Sequence, residues 1–269
     1  MHRFVRKALA GTAVAGVVFG SLVVGATGAS AKTASATPLF THAHNQSAAA
    51  QASNWSGYVQ SGGKYTSVSA SWTIPQVKSD ASGYSSTWVG IDGYSDQYLI
   101  QTGTTANYDR GASYTAWWEV ITPSDELPEE DFSMTVRPGD SISASVTKGS
   151  GSNWSMSLTD NTSRVTKSKS YSFNGPASTA EWIQEDTDVD GYVSSSPDFG
   201  KVTFTNCKAN GANATLSSDT SFPLADDNGT VEDSISAASG TSFSATYLAS
   251  GEDWQPSDAA AAALAARTH

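Results

Sequence analysis

From Asn54 onward the chain alternates apolar and polar positions in short runs. "NWSGYVQ", "TSVSASWTIP", "STWVGIDGY", "QYLIQTGT", "YTAWWEVIT", "SISASVTKG", "NWSMSLTDN", "RVTKSKSYSF", "TAEWIQED", "GKVTFTNC" and "TSFSATYL" are rich in Thr, Ser, Val, Tyr and Trp. Gly, Asn, Asp and Pro separate them. Successive side chains of a strand point to opposite faces, so this pattern predicts many short strands at regular spacing. No long apolar pattern of period 3.6 interrupts it, which argues against βαβ units. The expected fold class is all-β, an antiparallel sandwich or barrel. Ser and Thr fall on what read as outer strand faces.

The ends of the chain follow other rules. Residues 1–31 read as a secretory signal peptide. Arg3, Arg6 and Lys7 precede a Gly/Ala/Val run, and Ala29-Ser30-Ala31 supplies a small-residue cleavage site. Residues 32–52, rich in Ala, Ser and Thr, read as a linker or short pro-segment. Residues 53–250 form the β domain. Residues 251–269 are a C-terminal tail with an Ala-rich run suited to a short helix or a frayed end. The expectation is a secreted, extracellular protein with no membrane association after signal cleavage.

Charge narrows the partners. The whole chain carries 15 Lys and Arg against 26 Asp and Glu, a net charge of −11. Removing residues 1–31 leaves 12 against 26, or −14. That sign disfavours nucleic acid and anionic membranes. The single cysteine, Cys207, permits no internal disulfide and reads as a structural thiol.

The histidines narrow the chemistry. His2, His42, His44 and His269 all lie outside residues 53–250. A Ser-His-Asp or Cys-His relay needs an imidazole beside its nucleophile, and catalytic zinc usually takes His ligands. No Gly-rich phosphate loop follows a strand. No metal and no cofactor are expected. Carboxylates, amides and aromatics remain. Strand parity places Trp88, Gly90 and Asp92 on one face, and likewise Leu99 with Gln101, Thr115 with Trp117 and Glu119, and Glu181 with Ile183 and Glu185. If these faces line one cleft, it holds Trp88, Asp92, Gln101, Trp117, Glu119 and Glu185. A Glu against Trp walls would be partly desolvated and suited to proton transfer in weak acid. Each residue also has a plainer use: Trp88 and Trp117 in packing, Glu119 as a solvated strand residue, Asp92 as a turn residue in "GIDG". On the residues alone, a peptidase, a β-sandwich glycoside hydrolase and a lectin-like binding module all stay open.

"SNWSGYV", "WVGIDG", "LIQTGT", "YTAWWEV" and "AEWIQED", in this order, resemble the glutamic peptidases (eqolisins) from about Ser53 to about Leu248. The resemblance implies two large antiparallel sheets, about seven strands each, packed as a concanavalin-like sandwich with the active site on a concave face. It implies a secreted acid endopeptidase acting on protein or peptide substrates, expected as a monomer. The family's catalytic Gln falls on Gln101. Its catalytic Glu falls on Glu185, the second acid of "AEWIQED", and not on Glu181. Trp88, Asp92, Trp117 and Glu119 match positions that line the substrate cleft. One departure is Thr115, where many members carry Asp. The disulfides of some members cannot form here.

Overall fold

The structure is a computed structural model that describes residues 40–41, 54–190, 192–217, 221–225 and 230–249. The signal-peptide reading of residues 1–31 and the C-terminal tail lie outside the described residues. So does most of the 32–52 segment, apart from a two-residue strand, Phe40–Thr41, that pairs with Asp188–Val189.

The described residues form strands and loops without a helix, and the large sheets are antiparallel. The first sheet runs in the order Glu130–Asp131, Ala116–Thr122, Leu99–Thr105, Ser85–Ile91, Ala180–Asp186, Trp55–Gln60 and Ser221–Phe222, with Asp125–Glu126 added at the 116–122 strand. The second runs Val165–Ser172, Asn153–Asp160, Ser141–Lys148, Ser67–Thr73, Lys201–Ala209, Phe243–Tyr247, Val231–Ile235 and Leu224–Ala225, with Ala212–Asn213 beside the 201–209 strand. Neither order returns to its start, so the sheets form an open sandwich.

The two sheets bury their strands differently. The 141–148 and 153–160 strands alternate between buried and part-exposed or exposed residues. Ile142, Ala144, Val146, Trp154, Met156 and Leu158 point inward, as the period of two predicts. In the first sheet, the 85–91, 99–105 and 180–186 strands are buried at every residue. One face gives Val89, Ile91, Ile100, Trp118, Val120 and Trp182 to the core between the sheets. The other carries a separate apolar cluster that includes Trp55, Trp88, Trp117 and Ile183. Polar side chains embedded on that second face stand in a dry environment, where electrostatic effects are strengthened.

Cys207 is fully buried, and burial raises its thiol to about 12. It therefore stays protonated and serves packing.

Candidate active site

The register of the first sheet assembles the candidate residues. Gly90, on the central 85–91 strand, faces Gln101 on one side and Glu181 on the other. Gln101 in turn faces Glu119. Two residues along, Gly103, Trp88 and Ile183 continue the row from Trp117. Two further, Ser86 faces Glu185, and Glu185 faces Trp55. Directly opposed residues of antiparallel strands share a face. Glu119, Gln101, Trp117, Trp88 and Glu185 therefore lie on one surface, as strand parity requires. Gln101 and Glu185 lie diagonally across the central strand, with Trp88 between them.

Glu185 is completely buried and receives three N–H donors. Asn54 Nδ2 donates to Oε1 at 3.2 Å, Trp55 Nε1 to Oε1 at 3.1 Å, and Trp88 Nε1 to Oε2 at 2.6 Å. The two indoles meet edge to face, ring centroids 4.7 Å apart, so both N–H groups converge on one carboxyl group. An ionised carboxylate is acceptor-only, and three donors match that form. Trp88 thus makes a polar contact as well as packing in the apolar cluster. Its ring also reaches back over the Gln101 row: a Cβ on Gly90 would lie 2.8 Å from Trp88 Cζ3.

The Gln101 amide is fixed from the opposite side. Its Nε2 donates to Glu119 Oε2 at 2.6 Å, and its Oε1 has no hydrogen-bond partner among the described residues. Glu119 is buried and orients Gln101 through this bond. At the strand end, Thr115 pairs its hydroxyl with that of Thr105 at 2.7 Å.

Asp92 stands apart. The 85–91 strand ends at Ile91, and Asp92 adopts φ 67°. Its carboxylate accepts hydrogen bonds from Ala177 N (2.7 Å), Ser178 N (2.6 Å) and Ser178 Oγ (3.1 Å). Burial raises its pKa against the pull of these donors. Asp92 therefore holds the 177–178 segment. Glu181, opposite Gly90, is buried; no hydrogen bond of ordinary geometry reaches either oxygen among the described residues, and the Thr179 hydroxyl beside it lowers its pKa only in part. Burial holds its pKa well above the ordinary range, helped by the charges of Asp92 and Asp96. Its surroundings favour the protonated form, in contrast to the donor-rich surroundings of Glu185.

Asn54 and Trp55 escape the sequence reading as site residues. The signal exists in "SNWSGYV", but their use depends on a strand pairing between positions 130 residues apart.

Trp88→Phe tests the cradle directly. It keeps an aromatic ring and removes the 2.6 Å donor. A hydrogen bond to a charged group contributes about 1.5–3 kcal/mol. A loss of that size is expected in urea unfolding at acid pH, and an unchanged midpoint would show that the contact contributes nothing.

The model of the Peptidase A4 family matches residues 53–247. Aspergillopepsin-2 from Aspergillus niger is 35% identical over 225 residues, covering 73% of this chain and 78% of that protein. The crystal structure of scytalido-glutamic peptidase with a transition-state analogue inhibitor superposes with a TM-score of 0.59 at 31% identity, over 73% of this chain and 98% of that one. Aspergilloglutamic peptidase from A. niger gives a TM-score of 0.52 at 33% identity, over 62% and 99%. The chain belongs to the Peptidase A4 family, the glutamic peptidases or eqolisins, and is a peptide hydrolase.

Proposed function

We propose that the chain is a secreted acid endopeptidase in which Glu185 activates water and Gln101 stabilises the oxyanion. The observation that carries this reading is the cradle of Asn54, Trp55 and Trp88 around Glu185 in a β domain without histidine. The motif match of Gln101 and the relative solved with a transition-state analogue inhibitor support it.

Ionised Glu185 takes a proton from water, and the oxygen of that water attacks the scissile carbonyl carbon. The C=O electron pair moves onto oxygen. Gln101 Nε2 carries two hydrogens; Glu119 engages one, and the other is available to the oxyanion. Glu185 then returns its proton to the leaving nitrogen as the C–N bond breaks, giving a carboxylic acid and an amine. Trp88 and Trp117 provide apolar walls for the peptide, and Glu119 acts through Gln101. Asp92 supports the wall from the 177–178 side.

The acid setting draws support from other buried carboxyls. Glu181, Asp186 and Asp233 all have raised pKa values, with burial as the first cause. Such groups fit a protein that works while they hold their protons.

The test is incubation of the purified chain with a denatured protein near about pH 4, close to the ordinary Glu pKa. Cleavage is expected in wild type and is expected to be lost in a Gln101→Ala variant. It should persist in excess EDTA and after treatment with a serine-acylating reagent. Complete inhibition by EDTA would overturn water activation by Glu185 alone.

A further inference from the structure

Directly behind Glu185, on the opposite face of its strand, lies a carboxyl cluster that the catalytic scheme does not use. Asp186, Glu232 and Asp233 are all buried, at 1%, 3% and 0% exposure. Asp186 belongs to the first sheet, and Glu232 and Asp233 belong to the 231–235 strand of the second. The cluster therefore spans the gap between the sheets.

Its composition favours protons. Burial first, and then the Glu232 carboxyl beside it, raise Asp186, as expected for an acid that keeps its proton next to another acid. Ser56 Oγ lies 3.1 Å from Asp233 Oδ2 and 3.1 Å from the Gln184 carbonyl oxygen. One hydroxyl hydrogen cannot fully serve two acceptors. The share that Ser56 donates to Asp233 lowers that acid's pKa only in part, against burial and the Glu232 charge, which raise it. Ser196 Oγ donates to Asp186 Oδ1. The groups that act on Asp186 are Glu232, Asp233 and Ser196; those that act on Asp233 are Ser56 and Glu232. The backbone partners of Asp233, Leu224 and Tyr247, bring no cation. Three charges there would face one another across a dry gap, where like charges repel strongly.

The cluster is tied to the catalytic cradle by direct bonds. Asp186 N donates to Asn54 O at 2.8 Å, and the side chain of Asn54 donates to Glu185. Ser56 follows Trp55, the second donor to Glu185. A shift of Asp186 or Ser56 therefore moves the groups that hold Glu185.

We propose that Asp186, Glu232 and Asp233 form a proton-dependent clamp between the sheets, which positions Glu185 and confines activity to acid. Its effect on catalysis rests on the reading of Glu185 as the base; its effect on structure does not. Burial raises the pKa of Asp186 well above the ordinary range and that of Asp233 to about 8. A carboxyl raised on folding contributes stability that is fully present below its unfolded pKa. That contribution is lost as pH rises through the folded value, here from about pH 4 to about pH 8 for Asp233.

The experiment uses the full chain, wild type and a Glu232→Gln/Asp233→Asn variant, each also with Glu185→Gln. Tryptophan fluorescence and near-ultraviolet circular dichroism follow tertiary structure across pH, and peptide hydrolysis gives the upper limb of kcat/KM. The wild-type structural midpoint and upper limb are expected to fall together. In the variant both should move up by about one pH unit or more, because two of the ionisations are removed. The structural shift should persist with Glu185→Gln, which separates this proposal from the assignment of the base. A midpoint unchanged in the variant would overturn the clamp. If the variant fails to fold at acid pH, wild-type urea unfolding measured from pH 4 to 8 decides. A slope equivalent to release of about two protons on unfolding supports the clamp, and a flat profile overturns it.

Discussion

Glu185→Gln is expected to lower kcat/KM for a peptide substrate by about 10²- to 10⁴-fold, the usual contribution of a positioned base. The substitution keeps the side-chain length and replaces the carboxylate by an amide. It also carries a structural cost. The Gln amide presents one oxygen where the carboxylate presents two, while Asn54, Trp55 and Trp88 still point three donors at the site. At least one indole or amide N–H then faces an NH2 group. Leaving a buried donor unsatisfied costs about 1–3 kcal/mol. The variant is therefore expected to be folded but less stable, and activity must be measured well below its unfolding midpoint. Gln101→Ala is expected to lose about 10²- to 10³-fold, the range for removal of one oxyanion donor, chiefly in kcat. It also strips Glu119 of its 2.6 Å partner. Steady-state kinetics on a peptide near pH 4 check both. A Glu185→Gln enzyme with near-wild-type kcat would show that another group accepts the proton.

The alternation of polar and apolar residues makes the second sheet legible, because only one of its faces is buried. In the 141–148 and 153–160 strands, the residue types and their burial follow the same period. The first sheet is harder. Its 85–91, 99–105 and 180–186 strands are buried on both faces, so the alternation tells which residues share a face but not which face meets the other sheet. Parity places Gln101, Glu119, Trp88 and Glu185 on one surface, and the register agrees. At Asp92 the strand has ended and φ is positive, so parity no longer sets where that side chain lies. Parity also carries no information on pairing between distant segments. Trp55 meets Glu185, and Ser56 meets Asp233, only because the fold places those strands together. A Trp before Ser in "SNWSGYV" and an acid pair in "TVEDSIS" hold no local sign of either contact.

The largest structural effect is expected from Gly57→Ala. Gly57 sits in the 55–60 strand at φ +146°, opposite Ile183. A Cβ there would lie 2.1 Å from the Trp182 carbonyl oxygen and 3.2 Å from the Ile183 Cα. These are backbone atoms of the neighbouring strand, and no rotamer change can move them aside. Backbone strain of this kind costs about 1–3 kcal/mol, and overpacking adds about 1–3 kcal/mol. Their sum, about 2–6 kcal/mol, is a large share of the roughly 5–15 kcal/mol that separates a typical folded domain from its unfolded chain. Gly62 supplies the control. It has φ +86°, and a methyl group added there would meet nothing within 4 Å, so Gly62→Ala carries the conformational cost without the clash. Urea unfolding at acid pH should place Gly57→Ala well below Gly62→Ala. Gly57 also lies one residue from Ser56 and two from Trp55, so the displaced strand carries both the clamp contact and a donor to Glu185. Activity should therefore fall even under conditions where the protein remains folded. Equal midpoints for the two variants would mean that the neighbouring strand yields to the methyl group, and that the fit between these strands is looser than a 2.1 Å approach implies.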